Sequence, residues 1–176
     1  MPDAFAVWLT GRPASGKSTI ARELVGQLHA REIPVALLES DVLRTQITPF
    51  ARYDPAERDF FYKTVAALGI FITKHGKAVV FDATANRRAY RDRARLRIAR
   101  FVEVLVDCPL EVCETRDPKG LYRRARQGAS ATLPGVQIDY DAPLEPELTL
   151  RGDIGSPRDA AARIIALLDQ RNWLPG

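Results

Sequence analysis

WLTGRPASGKSTIA, running from Trp8 to Ala21, decides how the rest of the chain is read. Within it, Gly11 to Ser18 fit G-x4-G-K-S. The run before it, Phe5 to Thr10, is short, aromatic and β-branched and stops at Gly11, as a strand does. The run after it, Lys17 to Ala30, places Ile20, Leu24 and Leu28 four residues apart, which lines them on one helical face. Strand, glycine-rich loop and helix in that order are the context this motif requires. The physics is direct. Gly11 and Gly16 let the backbone turn tightly. The loop amides and the helix N-terminus then converge on an anion. Lys17 adds a point charge for β- and γ-phosphates, and Ser18 offers a hydroxyl to Mg²⁺. Gly11, Arg12, Pro13, Ala14, Ser15, Gly16, Lys17, Ser18 and Thr19 are therefore the expected contacts of ATP.

The pattern continues outward from this loop. Pro34 to Glu39 is a second strand, apolar nearly throughout, which places it in a parallel sheet covered on both faces. Asp54, Pro55 and Glu57 form a helix start, with Asp54 as cap and Glu57 three residues beyond it. That helix runs to about Lys74, with Phe61, Val65, Leu68 and Ile72 on one face. Ala78 to Phe81 is a third strand with Asp82 at its end. Arg88 to Arg100 reads as a helix, Phe101 to Val106 as a fourth strand and Leu110 to Thr115 as a short helix opened by Pro109. Arg116 to Pro146 is rich in Arg, Gly, Pro and Asp and lacks period, so it reads as a lid with about one helical turn. Glu147 to Leu150 is a short last strand, and Ser156, Pro157 and Asp159 open a final helix through Asp169. Alternation of this kind specifies one three-layer α/β domain over residues 1–176 with a parallel sheet.

Composition narrows the class. The chain has 176 residues, 46% hydrophobic and 27% charged, enough for an ordinary core. Lys and Arg number 26 against 22 acidic residues, a net charge of +4. That excess suits a polyanionic small molecule as well as nucleic acid. Two cysteines, Cys108 and Cys113, make neither a disulfide framework nor a zinc spacing and read as reduced thiols. The N-terminus runs straight into a strand with no signal-peptide pattern. No apolar stretch nears the ~20 residues of a membrane span. The expected setting is the cytoplasm.

Other candidate chemistry gathers where strands end, the usual crevice of open sheets. Asp41, just past the second strand, can accept a proton from a substrate hydroxyl, hold Mg²⁺ through water, or cap a helix. Arg44 can pair with an anionic substrate group. Asp82 is either a magnesium carboxylate or a cap for the turn at Thr84. Arg87, Arg88, Arg91, Arg93, Arg95, Arg97 and Arg100 spread around their helix, as on a solvated face, so a nucleic-acid partner is not expected. Arg88 and Arg91, nearest the strand end, are the two of these placed to reach substrate. Arg116, Lys119, Arg123 and Arg124 are lid cations that can close over a transferring phosphate. His29 and His75 fall near helix ends and read as exposed.

Together WLTGRPASGKSTIA, ESDVLR (39–44), DCPLEVCETRDPKGLYRRARQG (107–128) and PGVQIDYDAPLEPEL (134–148) resemble adenylylsulfate kinases, over roughly Val7 to Leu150. The resemblance implies a P-loop kinase with a five-stranded parallel sheet, usually dimeric. It implies transfer of the ATP γ-phosphate to the 3′-hydroxyl of adenosine 5′-phosphosulfate, with Mg²⁺. It implies Asp41 at the acceptor hydroxyl, Arg44 and Arg58 on the phosphosulfate, and Lys119 as the lid lysine. The chain departs from the family pattern on the acceptor side. Glu39-Ser40-Asp41-Val42 replaces D-G-D-N, Phe61 and Lys63 replace an Asn and an Arg, and Ala85-Asn86 replaces Ser-Pro. Leu133 stands where a phenylalanine stacks on the acceptor adenine, with Tyr53 as the opposite wall. A lost hydrogen-bonding partner shifts acceptor preference by orders of magnitude. The S-D-x-x-R and D-A-T segments are also similar to polynucleotide-kinase-type and other small-molecule P-loop kinases, and a nucleotide-binding module without catalysis is the remaining alternative.

Overall fold

The computed structural model describes residues 4–129 and 132–175. In chain order the elements are β1 (Phe5–Thr10), α1 (Lys17–Ala30), β2 (Val35–Glu39), α2 (Ser40–Ile47), α3 (Pro55–Lys74) and β3 (Ala78–Asp82), followed by α4 (Arg88–Arg95), β4 (Arg100–Asp107), α5 (Leu110–Arg116), α6 (Leu121–Arg126), β5 (Leu148–Arg151) and α7 (Pro157–Gln170). The strands form one five-stranded sheet in the order β2-β3-β1-β4-β5, parallel throughout.

Strand periodicity sorts the core into two layers. Successive side chains of β1 point to opposite faces. Phe5, Val7 and Leu9 face α1 and α7, where Ile20, Leu24, Leu28, Ile164 and Leu168 meet them. Ala6 and Trp8 face α3 and α4, where Phe61, Tyr62, Val65, Tyr90 and Ala94 close over them. Trp8 stacks on Phe81 with ring centroids 4.3 Å apart, and its indole N–H donates to the Ala83 carbonyl at 3.0 Å. Phe81 also fixes Gly69: a β-carbon there would lie 2.1 Å from the ring, so α3 approaches the sheet this closely only with glycine. The caps read from sequence form as expected, with Asp54 accepting from the Glu57 amide and Ser156 from the Asp159 amide.

Three differences from the sequence reading have local causes. The helix expected over Arg88 to Arg100 ends at Arg95, because Ile98 turns into the core and Arg100 already pairs with Phe5 at the start of β4. Residues Ser40–Ile47 are helical although no apolar period marks them; the one buried residue of α2 is Arg44. The lid contains α6, whose Tyr122 and Ala125 pack with Cys108, Cys113 and Leu133 into a small core of their own. Among the described residues no helix is long and apolar enough to cross a membrane.

The arginine-rich α4 is also less solvated than its composition suggests. Arg91 is 1% exposed. Its guanidinium pairs with Glu103 and donates to the carbonyls of Ala85 at 2.6 Å and Asp141 at 2.7 Å. Arg95 joins Glu103 at 3.1 Å and Glu147 at 2.6 Å. This network fastens the end of β3 and the segment that leaves the lid to β4.

Candidate active site

Parallel register aligns the strand ends that carry the chemistry. Leu9 of β1 and Glu39 of β2 both pair with Asp82 of β3, so the loop after β1 opens beside two carboxylates. Gly11 is required there: with φ 151° and a virtual β-carbon 2.4 Å from the Val106 carbonyl oxygen, a side chain has no room. Ala14 at φ 60° and Gly16 at φ 99° complete the turn that aims the loop inward.

Lys17 curls back into this ring. Its Nζ donates to the carbonyls of Gly11 at 3.0 Å and Arg12 at 2.7 Å, and to Ser15 Oγ at 3.4 Å. Burial pulls its pKa down, against the opposing pull of Asp82 and Asp41. Burial likewise pushes the Asp82 carboxyl up, while Lys17 and a hydrogen bond from the Ser18 hydroxyl oppose it. Lys17, Ser18 and Asp82 thus form one charge-compensated floor.

A cleft of about 830 Å³ opens above that floor. Its lining includes Pro13 to Thr19, Asp41 and Val42 of α2, Asp82 and Thr84. Arg116 to Lys119 and the loop after β5, Gly152 to Ser156, form its far side. Asp41 stands at the exposed start of α2, and the Lys119 ammonium pairs with it from the lid. Arg116 donates to the Gly152 carbonyl at 2.7 Å and ties the lid to the loop after β5. Tyr122 donates to the Pro13 carbonyl at 2.8 Å and ties the lid to the phosphate loop.

The remaining expected acceptor residues do not line this cleft. Arg44, Tyr53, Arg58 and Phe61 come together beside it. The Arg44 guanidinium lies 4.0 Å from the Phe61 ring centroid and 4.7 Å from that of Tyr53, and it pairs with Glu57 at 2.7 Å. Burial resists ionisation of Glu57, but the amides of Tyr53 and Arg52 together with Arg44 outweigh it and hold its carboxyl below the usual range. Arg58 donates to the Tyr53 carbonyl at 3.0 Å and the Thr132 carbonyl at 2.6 Å. Phe61 is fully buried, and Leu133 sits in the small core of the lid.

Two features escaped the sequence reading. Arg116 was visible only as a lid cation, Gly152 to Gly155 were not singled out, and Ser156 was read only as a helix start. The loop follows a strand end, the same signal that drew attention to Asp41 and Asp82. Gly152 is further constrained, since a β-carbon there would lie 2.2 Å from the Ser15 carbonyl oxygen.

Comparisons with known proteins bear on the family and the fold. Residues 3–151 match the family described as adenylylsulphate kinase. An adenylyl-sulfate kinase of Gloeothece citriformis is 37% identical over 168 residues, 96% of each chain. Another, from Burkholderia ambifaria, is 40% identical over 166 residues, 93% of this chain and 92% of that one. The solved Mycobacterium tuberculosis APS kinase, in complex with AMPPNP and APS, superposes with a TM-score of 0.90 at 32% identity, covering 96% of this chain and 99% of that one. A matched family over most of the sequence, a shared fold and a phosphate loop in its required setting make the conclusion plain: the chain belongs to the adenylylsulphate kinase family.

Proposed function

We infer that the protein transfers the γ-phosphate of ATP to the 3′-hydroxyl of adenosine 5′-phosphosulfate. The observation that carries this reading is that one cleft is lined both by the phosphate floor of Lys17, Ser18 and Asp82 and by Asp41, an exposed carboxylate that an incoming alcohol can meet.

Phosphoryl transfer depends on positioning and charge stabilisation more than on covalent chemistry. The loop amides and the start of α1 hold the β-phosphate. Lys17 exchanges the loop carbonyls for phosphate oxygens, which accept a cation better than neutral carbonyls do. Asp41 accepts the hydrogen of the 3′-hydroxyl as the new P–O bond forms. Lys119, which spans the cleft to Asp41, brings positive charge to the transferring group when that pair opens. Arg116 and the loop from Gly152 to Ser156 enclose the nucleobase end of ATP. Arg44, Arg58 and Tyr53 serve the acceptor, with Phe61 packed beneath Arg44 and Leu133 in the lid behind them.

The hydroxyl of Ser18 and the carboxylate of Asp82 are hard oxygen donors of the type Mg²⁺ takes, with Asp41 reaching the ion through water. They would hold the ion together with the nucleotide phosphates. When bound, Mg²⁺ neutralises charge across the β- and γ-phosphates.

The two unpaired thiols favour a cytoplasmic setting. A second copy of the chain is the partner best suited to the outer face of α3, where Phe60 and Phe71 are 57% and 63% exposed and Leu68 lies between them. Phe71→Glu is expected to convert a sedimenting dimer to monomer; a wild-type monomer at working concentration overturns this pairing.

Labelled ATP offered with adenosine 5′-phosphosulfate, shikimate and a 5′-hydroxyl oligonucleotide tests the activity. Label is expected on the first acceptor alone. Transfer to either of the others with none to the first overturns the substrate, and tight ATP binding with no transfer to any overturns the reaction.

A further inference from the structure

Arg12, the second residue of the phosphate loop, has an unsatisfied guanidinium. Its Nε is shut away from water and has no hydrogen-bond partner. Among the described residues no carboxylate lies within ion-pairing distance of it. The residue as a whole is only half-buried, so its terminal nitrogens stay open to a ligand while the enclosed Nε anchors none of its neighbours.

The stem of Arg12 is held in one place by the lid. A β-carbon at Gly135 would lie 3.2 Å from Arg12 Nε and 3.4 Å from its Cγ and Cδ. Gly135 has φ 80°, so glycine is favoured there by the backbone and by the room Arg12 occupies. The Gly135 turn follows directly on Leu133, and the Thr132 carbonyl just before it is held by Arg58. Arg12 therefore joins the phosphate loop to the lid turn on the side where Arg58 and Arg44 gather.

The other cations on that side are already engaged. Arg44 is neutralised by Glu57 and lies against aromatic rings, and Arg58 spends its Nε and Nη2 on two main-chain carbonyls. An acceptor carrying a sulfuric–phosphoric anhydride brings more negative charge than these two can meet unaided. A guanidinium fork recognises such oxygens bidentately, which an ammonium does not do.

We propose that Arg12 binds the anionic group of the acceptor through its two terminal nitrogens, and so helps set acceptor specificity. The inference rests on the activity proposed above and adds a residue that its loop position alone would assign to ATP.

Steady-state kinetics of Arg12→Ala and Arg12→Lys, varying each substrate in turn, test it. For Arg12→Ala the KM for adenosine 5′-phosphosulfate is expected to rise ~10- to 100-fold, the range for one charge-assisted hydrogen-bonded contact. The KM for ATP is expected to move less than threefold. Arg12→Lys, which keeps stem and charge but loses the fork, is expected to raise the acceptor KM at least fivefold, and it carries the test if the alanine variant melts early. Calorimetric titration of adenosine 5′-phosphosulfate into each variant holding a non-hydrolysable ATP analogue reads the same contact as affinity. An unchanged acceptor KM overturns the proposal, as does a rise confined to ATP. No transfer by the wild type would instead overturn the activity, and the two failures are distinguished by which protein shows them.

Discussion

Replacing Asp41 by alanine separates catalysis from stability at this site. The Asp41 side chain is 66% exposed and that of its partner Lys119 54% exposed. An exposed pair of this kind is worth ~0–1 kcal/mol. Asp41 also lies in the first turn of α2, where a carboxylate adds about 0.3–1 kcal/mol against the helix dipole. The substitution is therefore expected to lower the melting temperature by only a few degrees, since 1 kcal/mol moves a domain of this size by about 2–4 °C. Turnover is another matter. A group that accepts the acceptor proton contributes about 10²- to 10⁴-fold, roughly 3–5.5 kcal/mol of barrier. Because the Asp41 side chain pairs with the lid lysine and bonds to no group of the phosphate loop, the KM for ATP is expected to stay within threefold. The assay is ADP release by a coupled enzyme, with the phosphorylated product resolved by chromatography and a thermal melt of the same preparation. A kcat within threefold of wild type refutes the role of Asp41. So does a melting loss above about 10 °C that accounts for the missing activity.

Three further outcomes are expected. Lys17→Ala will nearly abolish turnover while leaving the fold intact by circular dichroism, because its ammonium bonds only to loop groups that water or a nucleotide can replace; turnover above a tenth of wild type contradicts this. Arg91→Met will destabilise the protein by about 3–5 kcal/mol, on the order of 10 °C, because it strips a partner from buried Glu103 and two donors from the carbonyls of Ala85 and Asp141; a melting change under 3 °C contradicts the network. Asp82→Asn tests a pH dependence. Burial raises the folded pKa of Asp82 above its unfolded value, so its stabilising contribution is present at acid pH and lost as pH rises through the folded pKa. The variant is therefore expected to gain melting temperature relative to wild type between pH 4 and 7 while losing activity, and a difference that shrinks over that interval opposes the assignment.

The elements were legible wherever a period or a cap marked them. β1 and α1 follow their apolar spacing, α3 does so at Phe61 and Val65 but exposes Leu68 and buries Tyr62, Ala66 and Gly69 instead, and Asp54 and Ser156 cap the helices their sequences announce. α2 escaped because what it buries is a charged residue, and Arg44 in a ring of Tyr53 and Phe61 has no apolar signature. The helical turn expected in the lid is α6, but its packing against Cys108 and Leu133 was not legible, because those partners lie outside its own six residues. The arginines of α4 read as surface charge by composition, yet Arg91 is buried; spacing along a helix does not reveal a glutamate waiting on the neighbouring strand.

The same division holds for the site. Sequence alone determined the phosphate loop, since glycine spacing, Lys17 and Ser18 act on their own backbone and need only the strand before and the helix after. It also determined that Asp41 and Asp82 would stand at strand ends. Only tertiary structure decided which side chains are available to a ligand. Lys119 crosses the cleft to Asp41, Arg44 and Arg58 are engaged by groups from other elements, and Arg12 is left with an unbonded donor against Gly135. The reason is physical: local geometry follows from neighbours in sequence, whereas the charge and hydrogen-bonding state of a side chain depends on whatever the fold brings within about 4 Å of it.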